Sequence, residues 1–274
     1  MMSLPLPAAL LLDFGGVLVA SEKPAGWQEK VAEHLLGLMH RQNLPEHALP
    51  APQRVVEDVA AADVAAGLLA DAMSRPRHPE ELSQRSYVLD FIAADWHQEA
   101  RAALEAHVAG ICCRVSAAKE HRVLRRGTED LLRWCEEQEI SAVVVSNALC
   151  GQVHRDYLAE AGLSGWFAAE IYSDEEGVRK PNPDLILAGS RAAQVPVEHC
   201  WYVGDHLDRD VLCGVRAGVG VNVLMPSPVA PVRPFTVPVE PHLTVGDPAE
   251  LLERLASIGS GRRRAERAQG EHAR

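Results

Sequence analysis

Lysine is scarce in this chain. Only four occur among 274 residues, at positions 23, 30, 119 and 180, although lysine and arginine together number 27. Arginine therefore carries nearly all basic charge, and a lysine kept inside a polar motif marks a place where a compact point charge is needed. Basic excess is missing too: the net charge of −11 argues against a general nucleic-acid or anionic-membrane binder. Any anionic substrate then needs positive charge concentrated locally, from a lysine or a metal. No apolar run approaches the roughly 20 residues of a membrane span. The N-terminus MMSLPLPAALLLDF lacks the basic stretch of a secretory signal, so a cytoplasmic location and no membrane partner are expected. The six cysteines form no C-x-x-C pair, and the twelve histidines form no H-E-x-x-H or H-x-x-x-H cluster. That argues against a zinc site and leaves the cysteines as buried free thiols of a reducing compartment.

What is present is ordinary for a globular protein, with 47% hydrophobic and 24% charged residues, in a chain long enough for one large and one smaller domain. Three short apolar runs end at polar residues: LLLD at Asp13, VVVS at Ser146 and WYVGD at Asp205. Such runs read as fully buried strands of a parallel sheet, whose carboxyl ends are where open α/β sheets bind ligands. Between residues 14 and 22 the chain is expected to turn on Gly15 and Gly16. From about residue 24 to 122 the period becomes helical, with Trp27, Val31, Leu35 and Met39 on one face, and no strand is expected. After that, helix and strand alternate again. Thr128 is expected to cap a helix over 127–138, Asn182-Pro183 to open another, and Asp208 to cap a third. Residues 226–241 read as an extended loop. The polar tail GSGRRRAERAQGEHAR has no apolar face and is expected to be disordered.

Four segments in this order, with Lys180 in VRKPNPD between Ser146 and the pair Asp205 and Asp210, resemble the haloacid dehalogenase superfamily. The resemblance implies a Rossmann-like, doubly wound parallel sheet formed by residues 1–22 and 123–258. It also implies a helical cap, residues 23–122, inserted after the first strand, and it leaves 259–274 as a basic tail. By this resemblance Asp13 is the nucleophile, forming an aspartyl-phosphate, and Mg²⁺ is held by Asp13, the carbonyl of Gly15 and Asp205. Ser146 and the amide of Asn147 hold phosphoryl oxygens, Lys180 neutralises nucleophile and substrate, and Asp210 supports a metal-bound water or Lys180. The implied activity is that of a Mg²⁺-dependent phosphatase on a small phosphorylated metabolite, working as a monomer or homodimer.

Gly15 departs from the family pattern, which has a second aspartate two residues after the nucleophile as general acid and base. A positioned acid/base is worth roughly 10²–10⁴-fold, so substrates with good leaving groups, such as sugar 1-phosphates, are favoured. His206 is either a substitute proton donor or a solvent-facing loop residue. Asp174 is either a metal auxiliary or part of a solvated turn, and Arg179 is expected at the surface or behind the site. Residues Ser21 to Trp27 are placed at the pocket hinge. The competing readings are a non-catalytic phosphometabolite-binding protein, favoured by Gly15, and a 2-haloacid dehalogenase, disfavoured by the Asp205 and Asp210 pair.

Overall fold

The computed structural model describes residues 4–227 and 235–272, with only the backbone course beyond residue 260. Its strands are β1 (Ala9–Leu12), β2 (Val19–Glu22), β3 (His121–Leu124), β4 (Ser141–Ser146), β5 (Ala169–Tyr172), β6 (Cys200–Gly204), β7 (Val221–Leu224) and β8 (Leu243–Thr244). Between β2 and β3 lie α1 (Trp27–Arg41), α2 (Pro52–Ala72), the short α3 (Gln84–Ser86), α4 (Gln98–Glu105) and α5 (Val108–Lys119). The remaining helices are α6 (Thr128–Glu137), α7 (Gly151–Glu160), α8 (Ser173–Glu176), α9 (Pro183–Ala192), α10 (Leu212–Ala217) and α11 (Pro248–His272).

Six strands form one sheet in the order β5-β4-β1-β6-β7-β8, and every neighbouring pair is parallel. The fold is therefore the α/β, doubly wound class. β1 shows why these runs are continuous: all four residues are buried, because a central parallel strand is covered on both faces. Leu10 and Leu12 pack with Val144, Val203 and Leu131 on one face. Ala9 and Leu11 pack with Val143, Val145 and Leu185 on the other. The helices between β2 and β3 bury a separate apolar cluster that includes Val31, Leu35, Val55, Leu89 and Ile111. Asn182 caps α9 by accepting from the Asp184 amide (3.1 Å), with Pro183 at its first turn.

Several local expectations need correction. β2 and β3 pair antiparallel, so the segment after Asp13 does more than turn, and a strand begins at His121 inside the region expected to be wholly helical. These strands are short and half-exposed, with no apolar alternation to reveal them. Gly127, not Thr128, is the N-cap residue of α6; Thr128 is buried and its hydroxyl donates to the Leu18 carbonyl (3.1 Å). α11 continues to His272 where disorder was expected, because a helix nucleated by its buried first turns propagates readily through Arg, Ala and Glu. Of the expected loop at 226–241, residues 228–234 lie outside the described residues.

The thiols also differ from expectation. Cys113 on α5 is disulfide-bonded to Cys150, just before α7 (Cα–Cα 5.1 Å), and Cys112, Cys135, Cys200 and Cys213 are free and buried. A pairing across a sequence separation of 37 leaves no local signal. The bond ties the helical region to the sheet region, beside a hydrogen bond from Gln84 to the Leu149 carbonyl (2.9 Å). Of the two places expected for Arg179, the surface is excluded: it is buried and ion-pairs with Glu81 at 2.7 Å.

Closing a loop of this length is worth about 3–4 kcal/mol by the chain-entropy relation. The urea midpoint of oxidised protein should therefore exceed that of dithiothreitol-treated protein and of Cys113→Ser. Coincident midpoints would mean that the bond does not form in solution.

Candidate active site

The register of the sheet assembles the site. Leu12 lies level with Val144 and with Val203, so Asp13, Ser146 and Asp205 leave the same edge of three adjacent strands. The Asp13 amide continues the ladder by donating to the Val203 carbonyl (2.9 Å). Lys180 comes from the loop before α9. The side chain of Asn147 clamps that loop, accepting from the Lys180 amide (2.8 Å) and donating to its carbonyl (3.3 Å). Asn147 was expected to act through its backbone amide, and this side-chain role was not foreseen.

Lys180 is the centre of the arrangement. It is 1% exposed, with Nζ 2.8 Å from Asp13 Oδ2 and 2.6 Å from Asp210 Oδ1. It also donates to the Tyr202 hydroxyl (2.8 Å), which donates to Asp210 Oδ1 (3.0 Å). Burial alone would discharge the ammonium, but Asp13 and Asp210 outweigh it and hold its pKa above the ordinary value. Burial pushes Asp210 up as well, yet Lys180, Arg209 and His206 together hold that carboxyl below the ordinary range. Asp13 goes the other way. Burial raises it, Lys180 only partly opposes this, and the Asp210 and Asp205 charges add to the rise.

Asp205 sits against the loop after β1. A Cβ on Gly16 (φ 75°) would come within 2.3 Å of Asp205 Oδ2, and one on Gly204 within 2.2 Å of the Asp210 Cβ. Both glycines are therefore required for this close approach. Gly15 is different, because a Cβ there would meet nothing within 4 Å. His206 is buried rather than solvent-facing. Its Nδ1 contacts Asp205 Oδ1 and lies 2.8 Å from Arg209 Nη2. Among the described residues, the atoms of Asp205, His206 and Asp210 cluster within 4.8 Å as possible metal ligands; Asp13 stands outside that cluster, bonded to Lys180. Asp208 does not cap a helix. It is buried inside the turn Leu207–Val211. Asp174 lies away from this cluster and accepts from the Gly151 amide (3.1 Å) at the start of α7.

A cavity of about 710 Å³ opens over this edge, lined by Asp13, Gly15, Ser146, Asn147, Lys180, Asp205 and His206. Ser21, Glu22 and Lys23 line it as expected, whereas Trp27 packs into the helical cluster. Residues not anticipated include Tyr202, Arg209, His154 and Arg122. Only Tyr202 left a signal, since a phenol inside a buried strand must find a polar partner.

This constellation of carboxylates around one lysine at a parallel-sheet edge defines a hydrolase-type site. The chain belongs to the haloacid dehalogenase-like hydrolases, whose family model matches residues 7–218. Over 101 residues it is 31% identical to a glyceraldehyde 3-phosphate phosphatase of Methanopyrus kandleri, spanning 37% of this chain and 43% of that protein. Over 104 residues it is 35% identical to a phosphoserine phosphatase of Thermus thermophilus, spanning 36% of this chain and 39% of that protein. The chain thus matches less than half the length of these relatives. The HAD-hydrolase YfnB of Bacillus subtilis, crystallised bound to magnesium, shares the fold with a TM-score of 0.57 at 19% identity, covering 92% of this chain and all of that one.

Removing the ammonium tests the electrostatics. Lys180→Met should cost about 3–5 kcal/mol at neutral pH, because it leaves buried carboxylates unpaired. The carboxyls' folded pKa values would then lie above their unfolded ones. The penalty should therefore be full above those raised folded values and fade as pH falls from them to the unfolded carboxylate range of about 4. A stability difference from wild type that does not shrink on acidification would contradict this charge assignment.

Proposed function

We propose that this chain is a Mg²⁺-dependent phosphatase of small phosphorylated metabolites, working through a phosphoryl group carried on Asp13. The supporting observation is the buried Lys180 ammonium held between Asp13 and Asp210 at the floor of the cavity. The phosphatase names of the two partial relatives favour the same reading. On it, residues 1–22 with 123–258 are the catalytic core, residues 23–122 act as a cap over the cavity, and the protein works in the cytoplasm as a monomer or homodimer.

Asp13 would attack phosphorus, with Lys180 offsetting the negative charge of nucleophile and phosphoryl group. Ser146 and the Asn147 amide would hold the phosphoryl oxygens, while the Asn147 side chain keeps Lys180 in register. Asp210 and Tyr202 hold the ammonium in place. The residues fit a divalent cation: Asp13, Gly15 and Asp205 line one cavity edge, and carboxylate and carbonyl oxygens are what Mg²⁺ takes. Asp13, the Gly15 carbonyl and Asp205 would hold it, and the ion when bound would polarise the phosphoryl oxygens. The magnesium-bound relative of the same fold is consistent with this choice.

Two measurements test the proposal. Asp13→Asn should abolish phosphate release while keeping the fold, and chelation of wild type should do the same reversibly. Chelator-resistant release of halide from a 2-haloacid would favour the dehalogenase reading, and ligand binding without turnover the binding-protein reading.

With glycine at position 15, protonation of the leaving group lacks the usual aspartate. The rate of phosphoryl transfer should fall steeply with leaving-group pKa, so aryl and anomeric sugar phosphates should outrun alkyl phosphates. The open space beside Gly15 lets an aspartate fit, so Gly15→Asp should raise alkyl-phosphate turnover by roughly 10²-fold or more. A flat leaving-group series in wild type would mean another group already supplies the proton, with His206 the first to test by His206→Ala.

A further inference from the structure

The cavity over Asp13 has a second charged wall. Arg122 lies on β3, and its side chain is 6% exposed. Its Nε and Nη2 make no hydrogen bond. The Glu120 carboxylate stands 2.9 Å from Nη2, a charge neighbour not aligned to accept. His154 on α7 stacks on Phe14, with ring centroids 4.1 Å apart, and its buried Nδ1 also has no partner. Burial first, then the charges of Arg122 and Arg155, lower the His154 pKa to about 3, so the ring is neutral and Arg122 is near it. Both residues line the same cavity as Asp13.

Lys23 and Lys119 border this cavity as well, so three of the four lysines in the chain surround it. Those two share a single carboxylate, Asp63, and keep a net positive charge. Glu22 and Glu120 also border the cavity, and with Asp63 they balance Lys23, Lys119 and Arg122, so the wall carries no net formal charge. The orphaned donors, however, belong to Arg122. Buried guanidinium donors without acceptors carry a desolvation cost, which a ligand oxygen would remove. A planar fork of N–H groups matches carboxylate or phosphate geometry.

We propose that Arg122 and His154 form a second anion subsite, which reads a carboxylate or a second phosphate on the leaving group of the substrate. The inference deepens the phosphatase reading and rests on it for the position of the ester phosphate at Asp13. The preferred substrates are then phosphate esters that carry another anionic group, not neutral sugar or alcohol phosphates.

Matched pairs of probes test this. Phosphoglycolate against phosphoglycolamide isolates the carboxylate, and fructose 1,6-bisphosphate against fructose 1-phosphate isolates the second phosphate. Binding is measured by calorimetry on Asp13→Asn protein, and turnover on wild type. The anionic member of at least one pair should bind roughly ten- to a hundred-fold more tightly, and the difference should appear in KM more than in kcat. Arg122→Gln should bring the ratio towards one, and Arg122→Lys should restore part of it. The within-pair comparison on Asp13→Asn and wild type needs no Arg122 variant, so a misfolded variant does not block the test. Turnover with no preference in either pair would overturn the subsite and leave the phosphatase reading standing. A binding preference without turnover would sink the phosphatase reading and keep the subsite. Failure of every probe to bind would overturn the subsite.

Discussion

The constraint on which the site depends is a fully buried ammonium. Burying the Lys180 charge away from water carries a large desolvation penalty, and that penalty is met only if opposite charge and hydrogen-bond acceptors surround it closely. Asp13, Asp210 and Tyr202 meet that condition within 2.8 Å of Nζ. Each comes from, or just after, a different strand or turn of the sheet edge. The position of one nitrogen thereby fixes the spacing of the carboxylates. A compact ammonium suits this cavity, where a planar guanidinium fork would not reach all three partners from one atom.

Most of the cavity wall comes from the sheet region, and the rest belongs to the helical region and the β2–β3 ribbon. Polar ties hold the two parts together beside the site. Glu81 accepts from Arg179 (2.7 Å) and from the Ser173 hydroxyl (2.6 Å), and the Cys113–Cys150 bond joins α5 to the residue before α7. The loop carrying Lys180 is the same one that carries Arg179.

The parts of the molecule legible in the sequence are those that obey one local rule. β1, β4 and β6 announce themselves as apolar runs ending in a polar residue, because both of their faces are covered. Lys180 was visible because lysine is rare, and Asn182 because a cap followed by proline is a local signal. The β2–β3 ribbon was hidden, since its strands are four residues each and mostly exposed. Tyr202 read as one more apolar strand residue until the structure set its hydroxyl on Asp210. Arg122 and His154 come from β3 and α7 and meet only across the cavity, and no periodicity links them. The disulfide was hidden for the same reason, and the helical course of the tail because lack of an apolar face was taken to mean lack of structure.

The central claim is that a phosphoryl group is carried on the Asp13 carboxylate. The most direct test is to mix the enzyme with magnesium and an aryl phosphate, quench in acid during turnover and reduce with borohydride. Reduction converts an acyl phosphate to the corresponding alcohol, which peptide mass spectrometry locates. The account predicts substrate-dependent reduction at Asp13 and at no other carboxylate. Phosphate release with an unmodified Asp13, or with the reduced carboxyl found at Asp205 or Asp210, would contradict it.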